Sequence, residues 1–213
     1  MKIGYFVTAC NEINELTRLL LMLKTNISDS DCIGILLDEN NHTNEVRELC
    51  EKFLLPDNSI RIAYAPLNND FATFKNVGYE LFEDCDWIFQ IDADELPSST
   101  LMDNLHEILE MNPEIELIFV PRINTVEGIT QEHIQKWRWN VNDQGWVNWP
   151  DYQGRIYKRD KNIKWVGKVH ERISGHQQLS KLPMSEQLAL HHPKLIERQE
   201  QQNKLYNHIE SNL

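Results

Sequence analysis

Asp92, Asp94 and Glu95 fall within four residues, "DADE", at the end of the apolar run "WIFQID". Carboxylates this close repel one another and raise each other's pKa, so the cluster is costly unless a cation or an array of donors shares it. The plainer alternative is a solvated turn, with Pro97-Ser98-Ser99 capping the helix that follows. Three other segments repeat the pattern: "TACNEINE", with Asn11 and Glu12, "DENN", beginning at Asp38, and "APLNNDF", with Asp70, each follow a strand-like run. Four acid- and amide-rich segments in equivalent places argue for one shared site over four unrelated turns.

A shared site requires elements that bring these segments to one edge. Lys2 to Ala9, "CIGILLD", "SIRIAYA" and "DWIFQID" are rich in β-favouring residues. Between them, Leu16, Leu19, Leu20 and Leu23 take the spacing of one helix face, and helices are expected at Glu45–Phe53 and Phe71–Phe82. This alternation predicts a parallel sheet flanked by helices, whose ligands gather beyond the carboxyl ends of the strands. Ser98 is expected to cap a helix carrying Leu101, Leu105, Ile108 and Leu109, and "IELIFVPR" to add a strand. Residues 123–150 read as a long loop holding four tryptophans, a form common in lids and binding loops. "GRIYKRDKNIKWVGKVHERI" reads as two short strands around a polar turn, and Lys194 to Ile209 as a closing helix.

At 213 residues, 41% of them hydrophobic, the chain has the makings of one domain with a proper core. The formal charge of -12 disfavours broad adhesion to nucleic acid or an anionic membrane. No apolar run approaches the ~20 residues of a membrane span, and "MKIGYFVTACNEINE" is too short and too soon acidic for a signal peptide, so a cytoplasmic location is expected. Cys10, Cys32, Cys50 and Cys85 are widely spaced, and we expect buried thiols.

"NE" at Asn11-Glu12, Asp38, "NDFATFKN" from Asn69 to Asn76, "DADE", "PDYQGRIY" from Pro150 to Tyr157, "GKVHE" from Gly167 to Glu171, and a late His before a Gln/Asn/Tyr-bearing helix form a specific set. Together they resemble the small stand-alone glycosyltransferases of family 2, across nearly the whole chain. The resemblance implies a single α/β GT-A domain over residues 1–213, Rossmann-like, with a mixed, mainly parallel sheet. Residues 1–96 would bind the nucleotide-sugar, and residues 97–213 the acceptor and the catalytic groups. In one departure, Lys75 stands where relatives commonly carry Arg, which replaces a planar fork by a point charge.

The resemblance implies metal-dependent transfer of a hexose or pentose from a nucleotide-sugar, expected to be a UDP-sugar, to an acceptor hydroxyl with inversion. Asp94 is the first expected ligand for Mn²⁺ or Mg²⁺, which would neutralise the leaving diphosphate. Asp92 shares the metal or reaches the ribose, and His192, in preference to His191, completes the shell. Glu12 and Asp38 would line the nucleoside pocket and Lys75 the phosphates, with Asp70, Asn76, Arg155 and His170 also on the donor side. Glu171 is expected as the base that takes the acceptor proton, in competition with Asp151. Trp139, Trp146 and Trp149 offer flat faces to an acceptor that is a glycan, a protein or a hydroxylated base in viral DNA. The alternatives are an inactive binding module of the same fold or a nucleotidyltransferase. The latter typically has a Gly-rich basic loop after the first strand, and "TACNEINE" has neither glycine nor base.

Overall fold

The computed structural model describes residues 1–54 and 59–211; residues 55–58 and 212–213 of the expected domain lie outside the described residues. The first half alternates as the sequence predicts. β1 (Ile3–Ala9), α1 (Ile13–Asn26), β2 (Cys32–Asp38), α2 (Asn44–Leu54), β3 (Ile60–Ala65), α3 (Phe71–Gly78) and β4 (Trp87–Asp92) follow in order. The expected helix to Phe82 tightens into a 3₁₀ turn at Tyr79–Phe82. Then come β5 (Leu96–Pro97), α4 (Ser99–Glu110), β6 (Leu117–Val120), β7 (Arg122–Glu127) and α5 (Gln131–Trp137). The chain ends with β8 (Gln153–Lys158), β9 (Lys164–Val166), β10 (Arg172–Ser174), β11 (Leu179–Lys181), β12 (Leu190–Leu195) and α6 (Ile196–Ser211).

Among the described residues, seven strands form the main sheet in the order β11-β6-β8-β4-β1-β2-β3. Only β8 runs against the others, pairing antiparallel with both β4 and β6. Because side chains alternate along a strand, Ile3, Tyr5 and Val7 of β1 enter the core under α1 and α4, while Phe6 enters the core under α3. Leu16, Leu19, Leu20 and Leu23 of α1 are buried against the first face, as their spacing predicts. Phe82, Ile88, Tyr157 and Trp165 pack on the second. Ser98 caps α4 by accepting a hydrogen bond from the Leu101 amide at 3.2 Å.

Two smaller sheets carry the rest of the site. In one, β12 pairs parallel with β7 and antiparallel with β5, so the segment leaving "DADE" is tied to the strand bearing His192. In the other, β9 and β10 form a hairpin whose tip holds Gly167 to Glu171. Asn76 of α3 clamps this hairpin, donating to the Trp165 carbonyl at 2.9 Å and accepting from its amide at 3.0 Å.

The structure corrects several expectations here. Residues 123–150 are not one loop, since they contain most of β7 and all of α5; β7 finds its partner in β12, far along the chain. The strands read around the polar turn exist as β8 and β9, but they join different sheets. The last helix begins at Ile196 because β12 runs through Leu195. Three cysteines are buried as expected, whereas Cys10 is half-buried.

Candidate active site

The carboxyl ends of β1, β2 and β4 open into a cleft of 1110 Å³, closed by the β9–β10 turn and one side of α6. On its floor the acids are not a solvated turn. Glu95 is fully buried, and its Oε1 accepts from Arg155 Nη2 at 2.6 Å and from Arg122 Nη1 at 2.9 Å. Its Oε2 accepts from the Asp92 amide at 3.1 Å, which closes the turn on itself. Arg155 also donates to Asp92 Oδ2 at 2.6 Å, while Asp92 Oδ1 accepts from the Thr8 hydroxyl at 3.1 Å. Burial acts to raise Asp92, but Arg155 and Lys75 outweigh it and hold the carboxyl well below its ordinary range. The donors that the acid cluster requires are thus arginines from β7 and β8.

Asp94 sits apart from this net. Its Oδ2 lies 3.4 Å from His192 Nε2 and 3.8 Å from Arg198 Nη2. Burial would raise this carboxyl, yet the adjacent His192 imidazole and Lys194 hold it well below the usual range. His192 Nδ1 is 2.7 Å from the side-chain Oδ1 of Asn124, which accepts a ring proton there and leaves Nε2 to face Asp94. Fixing one ring nitrogen in this way orients the other as a ligand. One carboxylate oxygen and one imidazole nitrogen at this separation fit a divalent ion, whereas both Asp92 oxygens are already engaged by the protein.

Lys75 is 3% exposed, donates to Glu171 Oε1 at 2.8 Å, stands 3.5 Å from Asp92 Oδ1 and lies 4.4 Å from the Trp165 ring centroid. Asp151 Oδ2 accepts from Arg122 Nη2 at 2.6 Å, Arg122 Nε at 2.9 Å and Asn124 at 2.8 Å. Its Oδ1 accepts from Gln153 at 2.8 Å. Burial opposes ionisation of Asp151, but these donors, Arg122 foremost, hold it below its ordinary value.

No protein-family model and no curated protein matches the chain. Solved structures do. A crystal structure of S. aureus TarS residues 1–349 superposes with a TM-score of 0.62 at 12% identity, covering 91% of this chain and 60% of that one. The same fragment in complex with UDP-GlcNAc gives 0.60 at 13% identity, covering 91% and 59%. Its complex with UDP gives 0.61 at 13%, covering 91% and 60%. The fold is that of a GT-A-type glycosyltransferase. This chain spans about 60% of the length of that TarS fragment.

The GT-A cleft brings together Glu12, Asp38, Lys75, Asp92, Asp94, Asp151, Arg155, His170, Glu171, His192 and Trp139 of the residues singled out in the sequence. Asp38 is buried and accepts from the Leu67 and Asn40 amides, both at 3.2 Å, and from Asn41 Nδ2 at 2.6 Å, which shapes the turn around the pocket. Glu12 Oε2 accepts from the Cys10 and Asn11 amides at 2.7 and 2.9 Å, and its Oε1 from Arg198 at 2.8 Å. His170 adopts a left-handed φ of 52° and packs edge-on to Tyr206, with ring centroids 5.4 Å apart.

Asp70, Asn76, Trp146 and Trp149 are not among the described residues lining the cleft. Asp70 caps α3, accepting from the Thr73 amide at 2.9 Å; Asn76 is occupied by Trp165; Trp146 and Trp149 pack edge to face, with ring centroids 5.0 Å apart. His191 pairs in register with Leu96, so its neighbour His192 is the one that lines the cleft. The sequence reading missed Arg122, Asn124, Lys194 and Arg198, although "VPR" at the end of a predicted strand carried a signal for Arg122.

Proposed function

We propose that this chain is a metal-dependent, inverting glycosyltransferase that moves a sugar from a nucleotide diphosphate-sugar to an acceptor hydroxyl. The observation that carries the reading is the juxtaposition, in one cleft at the carboxyl edge of a GT-A sheet, of the Asp94–His192 pair with the Lys75–Glu171 pair. The TarS complexes with UDP and UDP-GlcNAc support a UDP-sugar as donor.

Asp94 and His192 would hold Mn²⁺ or Mg²⁺. When bound, such an ion supplies positive charge against the diphosphate as it leaves. Lys75, beside Asp92 and Glu171, and Arg198, beside Glu12 and Asp94, exchange their carboxylate partners for phosphate oxygens when the donor enters. Glu171 takes the proton from the acceptor hydroxyl as that oxygen attacks the anomeric carbon, and the bond from that carbon to the diphosphate oxygen breaks with its electron pair. Asp151 is the poorer base, because donors cover both its oxygens, whereas the hydrogen bond from Lys75 engages one oxygen of Glu171. Trp139 forms part of the acceptor wall, open to a glycan, a protein or a hydroxylated base.

Isothermal titration with UDP, with and without Mn²⁺, tests the donor half of the reading. We expect the metal to tighten UDP binding by at least about tenfold, because an ion held by Asp94 and His192 would supply positive charge against the diphosphate. Equal affinities would reject metal dependence. Metal-tightened binding without turnover against any of a panel of UDP-sugars and acceptors would instead identify an inactive binding module.

A further inference from the structure

The edge of the main sheet opposite the cleft holds a second cluster of reactive groups. Cys32 opens β2, Cys85 lies two residues before β4, and their sulfurs stand 3.4 Å apart. Since β1 runs between β2 and β4, the pair straddles the amino end of β1. Six residue steps along β2 separate Cys32 from Asp38 at the cleft, which is about 20 Å. Both cysteines are free thiols, 1% and 8% exposed.

Charge surrounds them. Lys2 Nζ reaches Asp84 Oδ2 at 2.7 Å, and Arg61 reaches Asp84 through Nη1 at 2.6 Å and Nη2 at 2.8 Å. Asp84 Oδ1 is in turn 3.8 Å from Cys85 Sγ. The hydrogen bond from Cys85, helped by the charges of Arg61 and Lys2 against the cost of burial, pulls the Cys32 thiol below the ordinary cysteine value. Cys85 is pushed up by the same contact and by burial. One sulfur is therefore disposed to ionise and its neighbour to keep a proton. The other two thiols are shifted in the opposite direction from Cys32. Burial, with Glu12 and Asp38, pushes the half-buried Cys10 up to about 11, and burial pushes Cys50 up to about 12.

Two chemistries use adjacent thiols: metal binding and disulfide formation. Asp84 is close enough to serve as a third metal ligand. Both of its oxygens, however, already accept from cations, and a metal ion would have to settle beside Lys2 and Arg61. Those same cations favour a thiolate, the reactive form in oxidation.

We propose that Cys32 and Cys85 form a redox-modification site, a dithiol that hydrogen peroxide converts to an intramolecular disulfide. The Cys32 thiolate attacks one peroxide oxygen, the O–O bond breaks, and hydroxide leaves, giving the sulfenic acid. Cys85 then attacks that sulfur; the S–O bond breaks and the oxygen departs as water, carrying the proton of Cys85. In sum two thiols are oxidised and one peroxide is reduced to two waters. Peroxide is small enough to enter beside Asp84, whose side chain is half exposed. The product joins residues 53 apart in sequence and staples β2 to β4 across β1. A cross-link of that span restricts the unfolded chain and leaves the distant cleft in place.

The test is peroxide titration of the purified wild-type protein in metal-free buffer, followed by thiol counting, peptide mapping and thermal denaturation. We expect two thiols to disappear, a Cys32–Cys85 peptide to form, and the melting temperature to rise by about 5–15 °C. Dithiothreitol should reverse all three. In Cys85→Ala, a sulfenic acid should be trapped at Cys32 and the thermal shift should vanish. Oxidation falling first on Cys10, or Cys32 advancing to sulfinic acid in wild type without a cross-link, overturns the proposal. So does a stoichiometric metal in the purified protein that Cys32→Ala releases. The wild-type peptide map decides the matter even where a variant folds poorly.

Discussion

Glu171 and Asp151 both line the cleft, and what separates them is how many of their oxygens neighbouring donors occupy. Asp151 is held by Arg122, Asn124 and Gln153, and it helps position Arg122 against the buried Glu95. Glu171 faces Lys75, a cation suited to leave for phosphate. Glu171→Gln should therefore lower kcat by about a hundredfold or more with little change in donor KM. Asp151→Asn should act mainly on acceptor KM. Steady-state kinetics at saturating donor and varied acceptor separates the two, and loss of kcat confined to Asp151→Asn would reverse the assignment. At this scale the acids were legible, because "DADE" and "VHE" are local words. Their pairing with arginines was not: Arg122 lies 27 residues from Glu95 and Arg155 lies 60, so only the folded chain reveals it.

The alternating first half of the chain was legible at the level of elements because each helix and strand there has its own period. The second half was legible in part: α4, β6, β8, β9 and α6 were read, whereas β5, β10 and β11 are very short and β7 and β12 pair with each other across a long stretch of chain. Close packing in the first half has its own demands. The ring of Phe82 lies across β1 and β2 at Gly4 and Gly34, where a Cβ at either position would overlap it. Phe82 is fully buried and also packs on Phe6, with ring centroids 5.3 Å apart. The ring has no room to retreat, so Gly34→Ala should destabilise the fold by about 1–3 kcal/mol. Urea unfolding monitored by tryptophan fluorescence measures this, and an unchanged midpoint would show that the ring can yield.

For the whole molecule, charge and acid response follow from where the ion pairs lie. No helix among the described residues is long and apolar enough to cross a membrane. At the amino edge, hydrogen bonds from Arg61 and then Lys2 hold the Asp84 carboxyl below its ordinary value. A carboxyl whose folded pKa is depressed contributes stability above its unfolded value, near 3.9, and loses it as pH falls toward the folded value. Wild type should accordingly melt above Asp84→Asn at pH 6, with the gap narrowing below about pH 4. Thermal denaturation of both proteins from pH 3 to 7 checks this; a gap independent of pH would exclude the ion pairs as its source. At the other edge, Lys75 joins Asp92 to Glu171. While that lysine stays between them, Glu171, the base of the proposed reading, keeps a cation as its partner. Phosphate oxygens that draw Lys75 away would free the base only once the donor is seated. On the proposed reading that ion pair favours one order of substrate addition, with the donor entering before the acceptor.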